Sequence, residues 1–227
     1  MKKIIFKSIL LVLLFAVQIK IHAQYKQYKP PAAKETVIQK PYYGAEETLI
    51  GAFWKSKPNL SFNMETATEM PYEFGYVFTT AKKGAITHFA VRMPRTIAAG
   101  PVLTYTVSLW DYDTRQLIKQ SQVDVTDVRL TTKALDEEIH ITAGKKYVLS
   151  VFIKPVNSTE NKWLYYNMIS PGNNNSAAPF IPFTQGNLTL LNTQFTQSAT
   201  PAFPATVSYH KDIMSGICDV VFKAMEQ

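Results

Sequence analysis

The chain has 227 residues, 46% of them hydrophobic and 18% charged, enough apolar material for one substantial core and too much for wholesale disorder. One cysteine, Cys218, excludes an intramolecular disulfide framework and any site built of clustered thiolates. The formal charge of +7 points to an anionic partner only if it sits on a folded surface, and it does not.

Lys2, Lys3, Lys7 and Lys20 give +4 to residues 1–23, and Lys26, Lys29, Lys34 and Lys40 against Glu35 give +3 to residues 24–45. From Glu46 onward 16 basic and 16 acidic residues cancel. A nucleic-acid binder needs a cationic face on the domain itself to displace phosphate counterions, so nucleic acid is not an expected partner.

Residues 1–23 read as a signal peptide. Lysines precede nine uninterrupted apolar residues, Ile9 to Val17, where a spanning helix needs roughly 20. Ala23 then offers a small residue for cleavage before Gln24. The expected protein is exported, to a periplasm, a cell surface or the medium, with no transmembrane segment once the leader is removed. Its lone cysteine suits a domain that does without disulfides outside the cytosol. Residues 24–45 alternate Lys, Tyr and Pro without apolar periodicity, which reads as an extended tether.

Residues 46–225 read as one β domain with period-two alternation in short bursts, each closed by turn residues. Phe74, Tyr76 and Phe78 alternate before a turn at Lys82-Lys83-Gly84, and Ala85 to Met93 follows with Phe89 and Val91 on one face. Thr104 to Trp110 points Tyr105, Val107 and Leu109 inward, and Asp111-Tyr112-Asp113-Thr114 turns the chain. Leu117 to Val125, Leu135 to Ile141 and Tyr147 to Ile153 repeat the pattern, then Trp163 to Tyr166, Leu188 to Leu191 and Cys218 to Lys223. About nine strands with frequent turns predict an all-β, antiparallel β-sandwich, jelly-roll-like. Helix after the leader is expected to be negligible.

Several of these segments resemble a known family. Tyr72 to Thr79 is similar to its opening strand, Gly84-Ala85-Ile86-Thr87 to its second, and Val107-Ser108-Leu109-Trp110-Asp111 to its Ser/Leu/Trp signature. Ile141 to Ser150 resembles its Ile-Thr-Ala-x-Thr-x-Tyr strand pair, and Asp219-Val220-Val221-Phe222 its closing Asp-Val-Val-Phe. The family is a bacterial secreted β-sandwich domain of unknown function, found in surface proteins and often beside carbohydrate-active modules. The resemblance implies a jelly-roll-like sandwich with an accessory role, and it carries over no catalytic residues.

The residues themselves offer little chemistry. Asp111-x-Asp113 supplies two carboxylates in a turn, a fragment of the six to eight oxygens calcium takes, and Asp at a turn start also bonds backbone amides. His88, His140 and His210 match no local metal spacing, so no metal and no cofactor is expected. There is no Gly-x-Ser-x-Gly elbow. Glu46-Glu47 and Glu137-Glu138 are adjacent on strands and point to opposite faces, so neither pair can flank one glycosidic bond. Cys218 shares parity with Val220 and Phe222 and reads as a small buried hydrophobe. With no catalytic grouping, an enzyme is not expected.

The 28 aromatic residues are more informative, because tryptophan and tyrosine beside hydrogen-bonding groups stack on the apolar faces of sugars. Phe74, Phe78, Phe89, Tyr105, Tyr147 and Phe222 fall at inward parity and read as core. Trp54, Trp110, Tyr112, Trp163, Tyr165 and Tyr166 are less readily placed there. Trp110 shares parity with Thr104, Thr106 and Ser108. Trp110, Tyr112, Trp163 and Tyr165 are the candidate ligand-binding residues. The expected function is a non-catalytic module binding a polysaccharide or glycoconjugate, and the alternative is a structural or assembly component of the cell surface that contacts a partner protein.

Overall fold

The computed structural model describes residues 42–55, 60–67, 70–92, 102–125, 129–157, 162–171 and 179–226. In chain order these form β1 (Tyr43–Thr48), the six-residue helix α1 (Ile50–Lys55), β2 (Leu60–Ala67), β3 (Tyr72–Thr80), β4 (Gly84–Arg92), β5 (Leu103–Asp111), β6 (Leu117–Val125) and β7 (Leu130–Ile141). There follow β8 (Tyr147–Ile153), β9 (Val156–Asn157), β10 (Lys162–Pro171), β11 (Phe183–Gln185), β12 (Leu188–Gln197), β13 (Thr206–Val207), β14 (Met214–Ser215) and β15 (Cys218–Met225). Among the described residues no helix is long and apolar enough to cross a membrane.

The strands pair antiparallel in three sheets. One has the order β1-β15-β4-β7; the widest has the order β11-β12-β3-β8-β5-β6, with β13 on the end of β12; the third is β14-β10-β2, with β9 on β10. The all-β, antiparallel expectation holds. All nine segments read as strands are strands as far as they are described, Met93 at the end of one lying outside the described residues, and β6 and β8 have the expected bounds. The count of about nine needs correcting, since eleven strands of six or more residues are described, plus four shorter ones. β1 escaped notice because its side chains are half or fully exposed, so backbone pairing to β15 rather than an apolar face defines it. It overlaps the last residues of the segment read as a tether.

The two larger sheets feed one hydrophobic core. Phe89 and Ile86 of β4, with Cys218, Val220 and Phe222 of β15, enter it from one sheet. Tyr76, Phe78, Tyr105, Leu109, Tyr147 and Leu149 enter from the other. Burying each large side chain contributes roughly 1.5–3 kcal/mol. Period two alone cannot put both Ile86 and Phe89 inward, because they are three apart. A bulge between Ile86 and His88 absorbs Thr87, against β15 as well as β7, and restores the phase. A second bulge between Leu190 and Asn192 does the same for β12, so that Thr193 and Phe195 lie opposite Tyr76 and Phe74.

Asp219 locks the end of this core. Its side chain is fully buried. Oδ1 accepts the N–H groups of Leu49 at 3.1 Å and Val220 at 2.8 Å, while Oδ2 accepts those of Ile50 at 3.0 Å and Gly51 at 2.7 Å. Burial pushes its carboxyl up to about 6 against the pull of these four amides. Three of these amides, those of Leu49, Ile50 and Gly51, are ones a helix start leaves without intrahelical partners, so a strand residue far along the chain caps α1. Leu49, Ile50 and Phe53 are thereby held in the core. Replacing Asp219 with Ala strands these amides and should cost about 3–5 kcal/mol in denaturant unfolding. Asp219→Asn, which turns a donor toward the same amides, should also destabilise; an Ala variant within about 0.5 kcal/mol of wild type would contradict the lock.

Candidate functional site

The outer face of the widest sheet holds the first group of expected site residues. Three rows cross it, because directly opposed residues share a face. Val77, Val148 and Trp110 form an apolar row; Gln194, Gly75, Ser150, Ser108 and Gln120 form a polar one; Glu73, Phe152 and Thr106 form the third. Trp110 therefore has the outward parity expected, but that face is covered. The indole is 8% exposed and meets Phe203 edge-to-face at 6.0 Å, while the Arg115 guanidinium lies 5.5 Å from the Phe203 ring.

Ser150 ties the rows together. It accepts the Trp110 indole N–H at 2.8 Å and donates to Glu73 Oε1 at 2.5 Å, both on the diagonal that antiparallel pairing brings within reach. Gln120 donates to the Ser108 hydroxyl at 3.1 Å. Glu73 is fully buried, its Oε2 has no partner among the described residues, and burial pushes its carboxyl up to about 8. The hydrogen bonds from Ser150 and from the Ala202 amide pull the other way and do not prevail. The polar row is thus occupied by the protein itself, and Trp110 is a packing residue with its N–H satisfied.

Tyr112 joins the same small cluster, half-buried beside Val77, Leu191 and Phe203, with the Lys146 ammonium 5.4 Å from its ring. Asp111 behaves as a turn former. Its Oδ1 accepts the amides of Asp113 at 3.1 Å and Thr114 at 2.9 Å, and its Oδ2 meets Lys145 at 2.5 Å. The Lys145 hydrogen bond chiefly holds its carboxyl down, to about 2. Trp163 and Tyr165 lie on β10, paired through the backbone with Val156 and Thr66 respectively; their side chains lie outside the described residues. Trp110 and Tyr112 are brought together, in packing rather than around an opening.

The opening lies elsewhere. A cleft of about 420 Å³ is lined by Tyr72 and Phe74 of β3, Thr193 to Phe195 of β12, Met168 of β10, Ser215 of β14, and Ser208, His210 and Ile213. That volume suits a small ligand. The Tyr72 and Phe74 rings stack with centroids 5.4 Å apart and planes 12° off parallel. Gly216, at φ +68°, packs on Phe74 so closely that a Cβ there would lie 2.3 Å from the Phe74 Cβ, so glycine's missing side chain and left-handed backbone both fix the ring.

One polar group in this cleft is left wanting: Thr193, on the face shared with Tyr76 and Phe195, is only 5% exposed, yet its hydroxyl has no partner among the described residues. A buried polar atom without a partner costs free energy unless something supplies the bond. At the rim, His210 has Asp212 3.9 Å from its Nδ1 and the Tyr209 ring 4.1 Å away, and Tyr209 is 85% exposed. A larger concavity of about 700 Å³ is lined by turn residues such as Lys82, Lys83 and Ala143 with no aromatic ring. Of these two concavities, as lined by the described residues, the first combines stacked rings with an unsatisfied polar atom.

Sequence reasoning missed this cleft because Phe74 was rightly placed in the core and no pattern marks which core ring borders an opening. β12 is itself half polar, so Thr193 did not stand out in it; the available signal of buried polar groups was the lone acids Glu73 and Asp219 within apolar strands. His88 is half-buried beside the Thr87 hydroxyl at 2.8 Å and His140 is exposed, both away from a metal cluster. Among the described residues no group of three or more His, Cys, Asp or Glu is gathered to hold an ion. No protein-family model matches the sequence, and no curated protein proves similar to it.

Glu73 generates a pH prediction. Its folded value lies above its unfolded one, so the folded state binds the proton more tightly. Stability from this group is complete below about pH 4.5 and is lost as pH rises toward about 8. Asp219 adds a loss of the same sign between about pH 4 and 6. Glu73→Gln should therefore match wild type near pH 5 and exceed it at pH 8 by a melting shift of several degrees, about 2–4 °C per kcal/mol. A variant less stable than wild type at pH 8 would show that the carboxylate is stabilised rather than strained there.

Proposed function

We propose that the chain is an exported, non-catalytic module that binds a polysaccharide or glycoconjugate in the cleft between β3, β12 and β14. The leader supports export, and the resemblance to the secreted bacterial domain supports an accessory role at a surface. The shared core of the two larger sheets supports a two-layer, jelly-roll-like sandwich. The observation that carries the binding reading is the pairing of a stacked aromatic floor, Tyr72 on Phe74, with the unsatisfied hydroxyl of Thr193. A sugar ring presents an apolar face to such a floor and hydroxyls to such an atom.

A second reading, an assembly component of the cell surface, is favoured by exposed Leu117 and Ile118 at the start of edge strand β6. An unpaired edge bearing apolar side chains is a place where another chain can dock.

A broad glycan array separates the two. Retention of wild type, with at least ~10-fold weaker binding by Tyr72→Ala (about 1.4 kcal/mol) and unchanged binding by Tyr112→Ala, supports the sugar reading. Circular dichroism should show both variants folded. Silence across the array, with a surface protein co-purified through Leu117 and Ile118, supports assembly instead.

A further inference from the structure

The charge of the ligand can be read from what the cleft lacks, granted the sugar-binding reading above. Among the described residues that line it there is no Lys, Arg, Asp or Glu, and His210 is its one basic side chain. Any charge that His210 gains by protonation faces Asp212 at 3.9 Å. The unsatisfied side-chain atom inside is a neutral one, the hydroxyl of Thr193. A carboxylate or sulfate carried into this space would lose its water and find no cation, which is the costliest way to bury a group. Sugar hydroxyls, by contrast, exchange bonds with the Thr193 hydroxyl.

Outside the cleft the aromatic surface continues. Tyr209 is 85% exposed and its ring lies 4.1 Å from the His210 ring, which itself borders the cleft. A large ring held open to solvent beside a pocket is a platform for whatever projects from that pocket.

We infer that the cleft takes an uncharged sugar ring, stacked on Tyr72 and Phe74 and bonded to Thr193, with the rest of the saccharide chain passing over Tyr209. The chemical class is a neutral oligosaccharide rather than a uronate or a sulfated glycan.

Calorimetric titration of the folded protein tests this with two sets of probes of equal length: neutral gluco-, manno- and xylo-oligosaccharides, and oligomers of galacturonate and mannuronate. The expected result is binding by at least one neutral series, at least ~10-fold tighter than any acidic one, and unchanged on raising salt from about 0.05 to 0.5 M, since no ion pair is there to screen. Thr193→Val should weaken the neutral ligand several-fold. Tyr209→Ala should weaken a pentasaccharide while leaving a disaccharide unaffected. Acidic oligomers binding as tightly as neutral ones, with affinity falling in salt, would overturn this inference and leave the sugar-binding function standing. Failure of every saccharide in both sets would overturn the function and the inference with it.

Discussion

The carboxylate of Asp219 is buried where no water solvates it, and four backbone N–H groups take the place of water. The geometry of one end of the molecule follows from that substitution. Three of the amides, from Leu49, Ile50 and Gly51, belong to the junction of β1 and α1, so the strand before the helix and the ring that the helix carries inward are positioned together. Phe53 of α1 stacks on Phe183 at 3.8 Å and lies 5.5 Å from Phe180, which extends the core to the edge of the widest sheet. A second link at the same end runs from Glu47 to the backbone and side-chain nitrogens of Asn187, each at 2.6 Å. One carboxylate thus fastens α1 and the other fastens β1 to the opposite sheet.

Three acids illustrate how burial and hydrogen bonding compete. Asp111 is largely buried, but an ammonium and two turn amides outweigh its desolvation, and its carboxyl falls to about 2. Asp219 is completely enclosed, and four amides limit its rise to about 6. Glu73 is nearly as enclosed but has one hydroxyl and one amide, and it rises to about 8. The order follows the number of donors set against the loss of solvent. Glu73 is therefore the strained member of the set, held in place by the covering of Phe203 and Ala202 over the outer face.

Much of the fold was legible in the chain because one face of most strands is apolar. Tyr105, Val107 and Leu109, or Val220 and Phe222, declare an inward face by alternation alone, and Gly144 at φ +74° turns the chain between β7 and β8. Alternation could not reveal that the opposite face of β5, β8 and β3 is also covered, since that depends on where residues 198–205 return. Trp110 and Ser150 were legible as outward-facing, and their burial was not. The bulges at Thr87 and Leu191 were hidden for a similar reason, because an extra residue shifts phase without changing composition. The cleft was the least legible feature of all. Tyr72, Phe74, Thr193 and His210 are distant in sequence, and they meet only through the pairing of β12 with β3 and the return of the chain toward β14.

The account places ligand binding at that meeting point and assigns Trp110 to packing. Two-dimensional amide NMR of the labelled protein, titrated with a neutral oligosaccharide, reads both locations in one experiment. The account predicts shifts that saturate together at Phe74, Thr193, Phe195, His210 and Ser215, with the Trp110 indole N–H signal unmoved in its bond to Ser150. Shifts confined to Trp110, Tyr112 and Lys146, with the residues of the cleft unchanged, would contradict it.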